Sequence, residues 1–437
     1  MNTSTNKSYK SAFIFLTSLF FLWGFITVLV DSLIPRIREL FTLSYFQAGL
    51  VQFAFFGAYF LLSIPAGFIL SKIGYKKGIV LGLLTMAVGC LLFYPAASYR
   101  EFGIFLVAYF VLAGGMTILQ VAANPYVAAL GSEEGASSRL NLSQAFNSLG
   151  TAIAPAIGAM FILSDKVKSS EEIASLSIAG KETYLASEAA AVQSPFLGIS
   201  SFIILLAVIF VFVNLPKILG EKAPKGGFIE ALKNKSLKKG AIGIFVYVGA
   251  EVAIGSYLVN YFMDMNMAEA IKNNNIMSSI SEFVVGSNLY EVSELAIVGA
   301  FVTFYWSGAM VGRFIGAYLT NIMNPAFVLR IFAFLAMTMV ILSMFTEGFV
   351  SMWAILSVGL FNSIMFPTIF TLSLEGLDEL KPQASGILCT MIVGGAIVPP
   401  LYGMLTDQFG FKMALILVIL CYSYINTFGK QKLSGRM

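Results

Sequence analysis

Apolar stretches of about 20 residues recur a dozen times along this chain, and that length is what a helix needs to cross a bilayer. They fall near 11–36, 45–70, 77–97, 101–129, 138–163 and 194–215, then near 240–266, 294–320, 325–345, 348–373, 383–407 and 411–429. Hydrocarbon offers the backbone no hydrogen-bonding partner, so such segments must be helical. Composition agrees: only 11% of residues are charged, against about 25% in a soluble domain. The predicted fold class is an all-α membrane protein with twelve transmembrane helices. The start, MNTSTNKSYK, is polar, lacks a cleavable signal pattern and runs straight into a span.

Several chemistries are excluded. With no histidine, there is no imidazole base and no histidine metal site. Neither a P-loop nor a dinucleotide glycine fingerprint occurs. Cys90, Cys389 and Cys421 all lie in apolar segments and imply no disulfide framework. The expectation is a protein that is not an enzyme, holds no cofactor or metal, binds no nucleic acid and works as a monomer among lipids.

Loop charges set the orientation. With both termini inside, Lys7, Lys10, Lys72, Lys76, Lys77, Arg139 and seven lysines of the loop 216–239 all fall on the cytoplasmic side of a bacterial inner membrane, as the positive-inside rule asks. That loop is read as a solvated linker between a six-helix bundle at 1–215 and another at 240–437. The halves repeat. Gly150 to Pro155 (GTAIAP) matches Gly394 to Pro399 (GGAIVP), Gly67 to Ile73 (GFILSKI) matches Gly316 to Ile322 (GAYLTNI), and Pro125 has a counterpart in Pro367. Two related six-helix bundles form the architecture of the major facilitator fold. The stretch GFILSKIGYKK at 67–77 resembles that superfamily's signature between the second and third helices, with Ser71 where an aspartate is usual.

Few ionisable groups fall within spans. A carboxylate in hydrocarbon costs about 3 kcal/mol or more and usually has a function. Asp31 in the first span and Glu251 near the centre of the seventh occupy equivalent places in the two halves. Burial penalises the charged form, so such a group can take a proton on one side and release it on the other. Both are candidate proton-coupling residues, while Arg313 reads as structural. Amides cluster nearby. Gln120 and Asn124 share a helix face, Asn141, Gln144 and Asn147 follow at three-residue spacing, and Gln52 and Asn362 lie in the second and tenth spans. Amides both donate and accept, which suits a neutral polyhydroxy ligand. The rings of Trp23, Tyr59, Tyr247, Tyr257, Tyr261 and Trp306 are candidates to stack on its apolar face. The candidate substrate-binding set is thus Gln120, Asn124, Gln144, Asn147, Gln52, Asn362, Trp23 and Tyr257.

Five blocks then carry a family resemblance: SLFFLWGFITVLVDSLIPRIRELFTLSYFQAGLVQFAFFGAYF at 18–60, QVAANPYVAALG at 120–131, SRLNLSQAFNSLGTAIAP at 138–155, VQSPFLG at 192–198 and YVGAEVAIGSYLVNY at 247–261. Together they resemble the fucose–galactose–glucose proton symporter family, a branch of the major facilitators. The resemblance implies sugar uptake with a co-transported cation by alternating access. In the fucose branch one functional acid maps onto Asp31 and a second onto position 120, which is Gln120 here and cannot titrate. Gln120 and Glu251 look instead like the glucose/galactose branch. Val30 stands where the family commonly has asparagine. Three alternatives stay open: sodium in place of the proton, a multidrug antiporter, and a sugar-sensing receptor without net transport. The polar stretches 165–193 and 267–293 are read as long outer loops.

Overall fold

A computed structural model describes residues 3–41, 45–161, 175–218 and 227–435. Among the described residues the helices of the first sequence half are α1 (Thr3–Phe41), α2 (Tyr45–Ile73), α3 (Tyr75–Tyr99), α4 (Phe102–Ala129), α5 (Ala136–Phe161) and α6 (Ile178–Phe212). A short helix, α7 (Gly227–Ala231), lies in the linker. The second half holds α8 (Lys235–Asp264), α9 (Met267–Lys272), α10 (Asn275–Val285), α11 (Glu294–Ile322), α12 (Pro325–Phe345), α13 (Gly348–Asn362), α14 (Met365–Leu374), α15 (Lys381–Thr390), α16 (Gly394–Phe409) and α17 (Phe411–Leu433). Among the described residues eleven helical stretches are long and apolar enough to span a membrane. The expected twelfth is α5. Its 26 residues reach about 39 Å, enough for a bilayer, but Arg139, Asn141, Gln144 and Asn147 lower its hydropathy. Twelve spans is consistent with this arrangement.

Two of the expected loops are largely helical. Residues 162–174 lie outside the described set, but helix α6 already begins at Ile178, where the Ser177 hydroxyl accepts from the Gly180 amide at 3.1 Å. The alanine-rich run 185–191 favours helix despite its polarity. Across 267–293 the chain forms α9 and α10, the latter capped by Asn274, whose oxygen accepts from the Ile276 and Met277 amides at 3.1 Å.

The tenth and eleventh spans are both interrupted. Pro367 has no N–H to give the Ser363 carbonyl four residues back, and the helix breaks there into α13 and α14. The freed Ser363 carbonyl accepts instead from Arg313 Nε at 3.3 Å. This bond ties α11 to the break in the tenth span. The eleventh span changes to a tight turn at Met391–Val393 between α15 and α16.

The chain forms two compact units. One comprises Met1–Ala136, Phe146–Lys233 and Leu374–Thr390. There α3 packs on α4 and α6, and α2 packs on α4 and α15. Backbones approach closely: a Cβ on Gly386 would stand 2.7 Å from the Ser63 carbonyl, and one on Gly67 would stand 2.7 Å from that of Pro382. Rings Phe93 and Phe196 stack at 4.0 Å between α3 and α6. The other unit comprises Ser137–Ala145, Asn234–Ser373 and Met391–Met437. In it α12 packs on α17, α11 on α13, and α8 on α11, α16 and α17. Each unit therefore includes a segment from the opposite sequence half.

Candidate functional site

In the first unit the candidates gather on α1, α4 and α5. Gln120 is 8% exposed, and its Oε1 accepts from the Tyr59 hydroxyl of α2 at 2.9 Å. Asn124, one turn further along α4, is buried. Asn147 is half-buried and donates from Nδ2 to the Phe20 carbonyl at 2.9 Å, tying α5 to α1. The two helices can meet because Gly24 has no side chain where the Asn147 carbonyl sits, and Gly150 has none where the Phe21 carbonyl sits. Trp23, buried on the same stretch of α1, packs edge-on to Phe20 at 5.6 Å. Gln52 is exposed on α2. The backbone of Asp31 is helical, but its side chain lies outside the described residues.

In the second unit Glu251 is the centre. It is half-buried near the midpoint of α8, and its Oε1 accepts from the Tyr247 hydroxyl one turn back at 2.7 Å. Arg313 of α11 is near enough to act on both groups electrostatically. Asn362, at the end of α13, is fully buried. Its Nδ2 donates to the Tyr305 hydroxyl of α11 at 2.7 Å, and its Oδ1 accepts from the Tyr422 hydroxyl of α17 at 2.7 Å. Tyr305 completes the chain, with its hydroxyl 3.5 Å from the Glu251 backbone carbonyl. Gln144 is buried on the part of α5 that belongs to this unit. Its neighbour Asn141 donates to the Ser137 carbonyl at 2.9 Å and to Thr368 Oγ1 at 3.2 Å, so it works in helix packing. Tyr257 is half-buried, with its ring tilted on Tyr402 of α16 at 5.2 Å.

Sequence reasoning singled out Glu251, Asn362 and Tyr247 but passed over Tyr305 and Tyr422. A signal existed for Tyr305. Ile297, Phe301, Tyr305, Ala309, Gly312 and Gly316 recur at about one-turn spacing and form the buried face of α11. Trp306, chosen from the sequence, is 49% exposed.

This is a helical bundle with sparse buried polar groups in each unit, and it matches known proteins along its length. Residues 11–398 fit the family described as the Major Facilitator Superfamily. The chain belongs to that superfamily. It is 46% identical over 429 residues to a glucose/galactose transporter of Brucella abortus biovar 1 (strain 9-941), covering 98% of this chain and 95% of that protein. It is 33% identical over 434 residues to the L-fucose-proton symporter of Escherichia coli (strain K12), covering 97% and 94%. The crystal structure of the transporter FucP in the outward conformation superimposes with a TM-score of 0.86 at 33% identity, covering 97% of this chain and 99% of that one. The chain is a multi-pass membrane protein and a non-enzymatic permease.

Proposed function

We propose that this permease imports a neutral hexose of the glucose/galactose type together with a proton, by alternating access of its two sequence halves. The observation that carries this reading is the 46% identity to a glucose/galactose transporter over nearly the whole chain. The 33% identity to an L-fucose-proton symporter supports the proton as the coupled ion. In this reading Asp31 is the main coupling acid and Glu251 a second one. The amides of Gln120, Asn124, Gln144 and Asn147 meet sugar hydroxyls, Gln52 adds a further polar contact, and Trp23 and Tyr257 offer ring faces. The lysine-rich linker and both termini lie on the cytoplasmic side of a bacterial inner membrane, where the positive-inside rule puts them.

The test is uptake of labelled glucose, galactose, mannose and fucose into proteoliposomes, with and without a proton gradient, in sodium-free buffer. Accumulation of glucose or galactose under the proton gradient alone is the expected result. Accumulation only when sodium is supplied would replace the proton with sodium, since carboxylate and amide oxygens also hold that ion.

A further inference from the structure

The second unit contains a chain of hydrogen bonds that touches Glu251 without facing open space. Tyr305, Tyr422 and Asn362 are all 0% exposed. They come from three helices, α11, α17 and α13, and each of these packs on α8. The amide at Asn362 is engaged at both ends, by Tyr422 at 2.7 Å and Tyr305 at 2.7 Å. Because Tyr305 accepts from the amide, its own hydrogen is left to point at the Glu251 carbonyl, 3.5 Å away. From within α8, Tyr247 holds the Glu251 carboxylate at 2.7 Å. Glu251 is therefore approached at its side chain by one tyrosine and at its backbone by another.

We propose that Asn362, Tyr305 and Tyr422 are positioning residues for Glu251, a polar clasp that fixes α8 and its carboxylate, and that Asn362 is not a sugar contact. The inference rests on the reading of Glu251 as a coupling acid. Among the described residues, Tyr247 of α8 bonds that carboxylate directly, and Tyr305 and Arg313 of α11 and Tyr422 of α17 are near enough to act on it electrostatically. On the remaining side α16 meets α8 through Gly394 and Val398, which carry no charge. A sugar ligand would need an amide edge open to a cavity, and Asn362 is closed in by the tyrosines it bridges.

The test uses Tyr305→Phe and Tyr422→Phe, each of which removes one hydroxyl and little volume. Each is made alone and in a Glu251→Gln background, in the full-length protein in proteoliposomes. Each single variant should lower proton-driven uptake of glucose or galactose about tenfold, the scale of one lost hydrogen bond near a charge. The exchange KM for sugar should stay near the wild-type value. Neither variant should reduce uptake further once Glu251 is Gln, because residues acting as one unit are not additive. Full additive losses, or a raised KM with an unshifted pH profile, would overturn the clasp and favour a sugar contact. A second readout does not depend on transport: the carboxyl band of Glu251, isolated in infrared titrations as wild type minus Glu251→Gln. Its midpoint should move in both tyrosine variants. An unmoved midpoint in both overturns the clasp. A moved midpoint in a protein that accumulates no hexose leaves the clasp standing and overturns only the transport reading. If Tyr305→Phe fails to fold, Tyr422→Phe decides both measurements.

Discussion

Single charges in a greasy helix are easy to see in a sequence, and Asp31 and Glu251 stood out for that reason. Their partners did not. A tyrosine gives no comparable signal among 18 in the chain, and whether its hydroxyl is spent on Asn362 or on solvent depends on helices distant in sequence. The amides divide in the same way. Sequence spacing placed Gln120, Asn124, Gln144 and Asn147 on shared faces, but it could not show that Asn147 would donate to the Phe20 carbonyl or that Gln120 would accept from Tyr59. The prediction at this scale concerns Asp31, the acid the coupling scheme needs most. Asp31→Asn keeps the size and much of the hydrogen bonding of the side chain but cannot change charge. Accumulation of labelled hexose against a gradient should fall to the equilibrium level, while sugar exchange across the membrane continues. Measuring both in the same proteoliposomes checks it, and wild-type accumulation by the variant would remove Asp31 from the scheme.

At the scale of elements, apolar length predicted the spans, and Pro325–Phe345 matches its expected limits at both ends. The break at Pro367 was legible as a proline. Its consequence was not, because Arg313 reaches the freed Ser363 carbonyl from 50 residues away. That pair gives a cycle. Arg313→Met should cost about 1–3 kcal/mol by leaving the carbonyl without this donor. Pro367→Ala restores an N–H to the same carbonyl and should recover part of the loss in that background, read as the midpoint of thermal unfolding in detergent. Equal effects of Pro367→Ala with and without Arg313 would dissociate the two residues. The end of α3 offers a pH test. The Arg100 guanidinium makes two hydrogen bonds of 3.0 Å to Glu182 of α6 and holds that carboxyl below the usual carboxylate range. A depressed carboxyl contributes stability above its unfolded value of about 4.3 and loses that contribution as pH falls through the folded value. Glu182→Gln should therefore unfold slightly below wild type at pH 7, and the gap should close below about pH 4. The pair is exposed, so the gap is small and shrinks further with salt.

For the whole molecule, internal repetition in the sequence points to two related halves, but it carries no sign that the compact units trade segments. Ser137–Ala145 comes from the first sequence half and packs in the second unit, while Leu374–Thr390 does the reverse. Hydrophobic periodicity marks which face of a helix is buried and says nothing about which partner buries it. In the second unit the trade is held by hydroxyls: Ser137 and Thr371 stand 2.6 Å apart, and Ser138 donates to the Ala317 carbonyl at 2.7 Å. In the first unit Ser385 donates to the Val121 carbonyl at 2.8 Å. Short bonds between neutral groups, worth about 1 kcal/mol each, can be broken and remade in a transport cycle more readily than buried ion pairs. If the sequence halves move against each other during transport, the contact between Ser137 and Thr371 must open once per cycle. Cysteines introduced at both positions put two thiols where the hydroxyls now touch, and the native Cys90, Cys389 and Cys421 are buried and give little background. Mild oxidation should cross-link the double variant and stop hexose uptake, a reductant should restore it, and either single variant should be indifferent to the oxidant. Uptake at the wild-type rate with the cross-link in place would mean that α5 and α14 stay together throughout, so that the moving boundary lies elsewhere in the molecule.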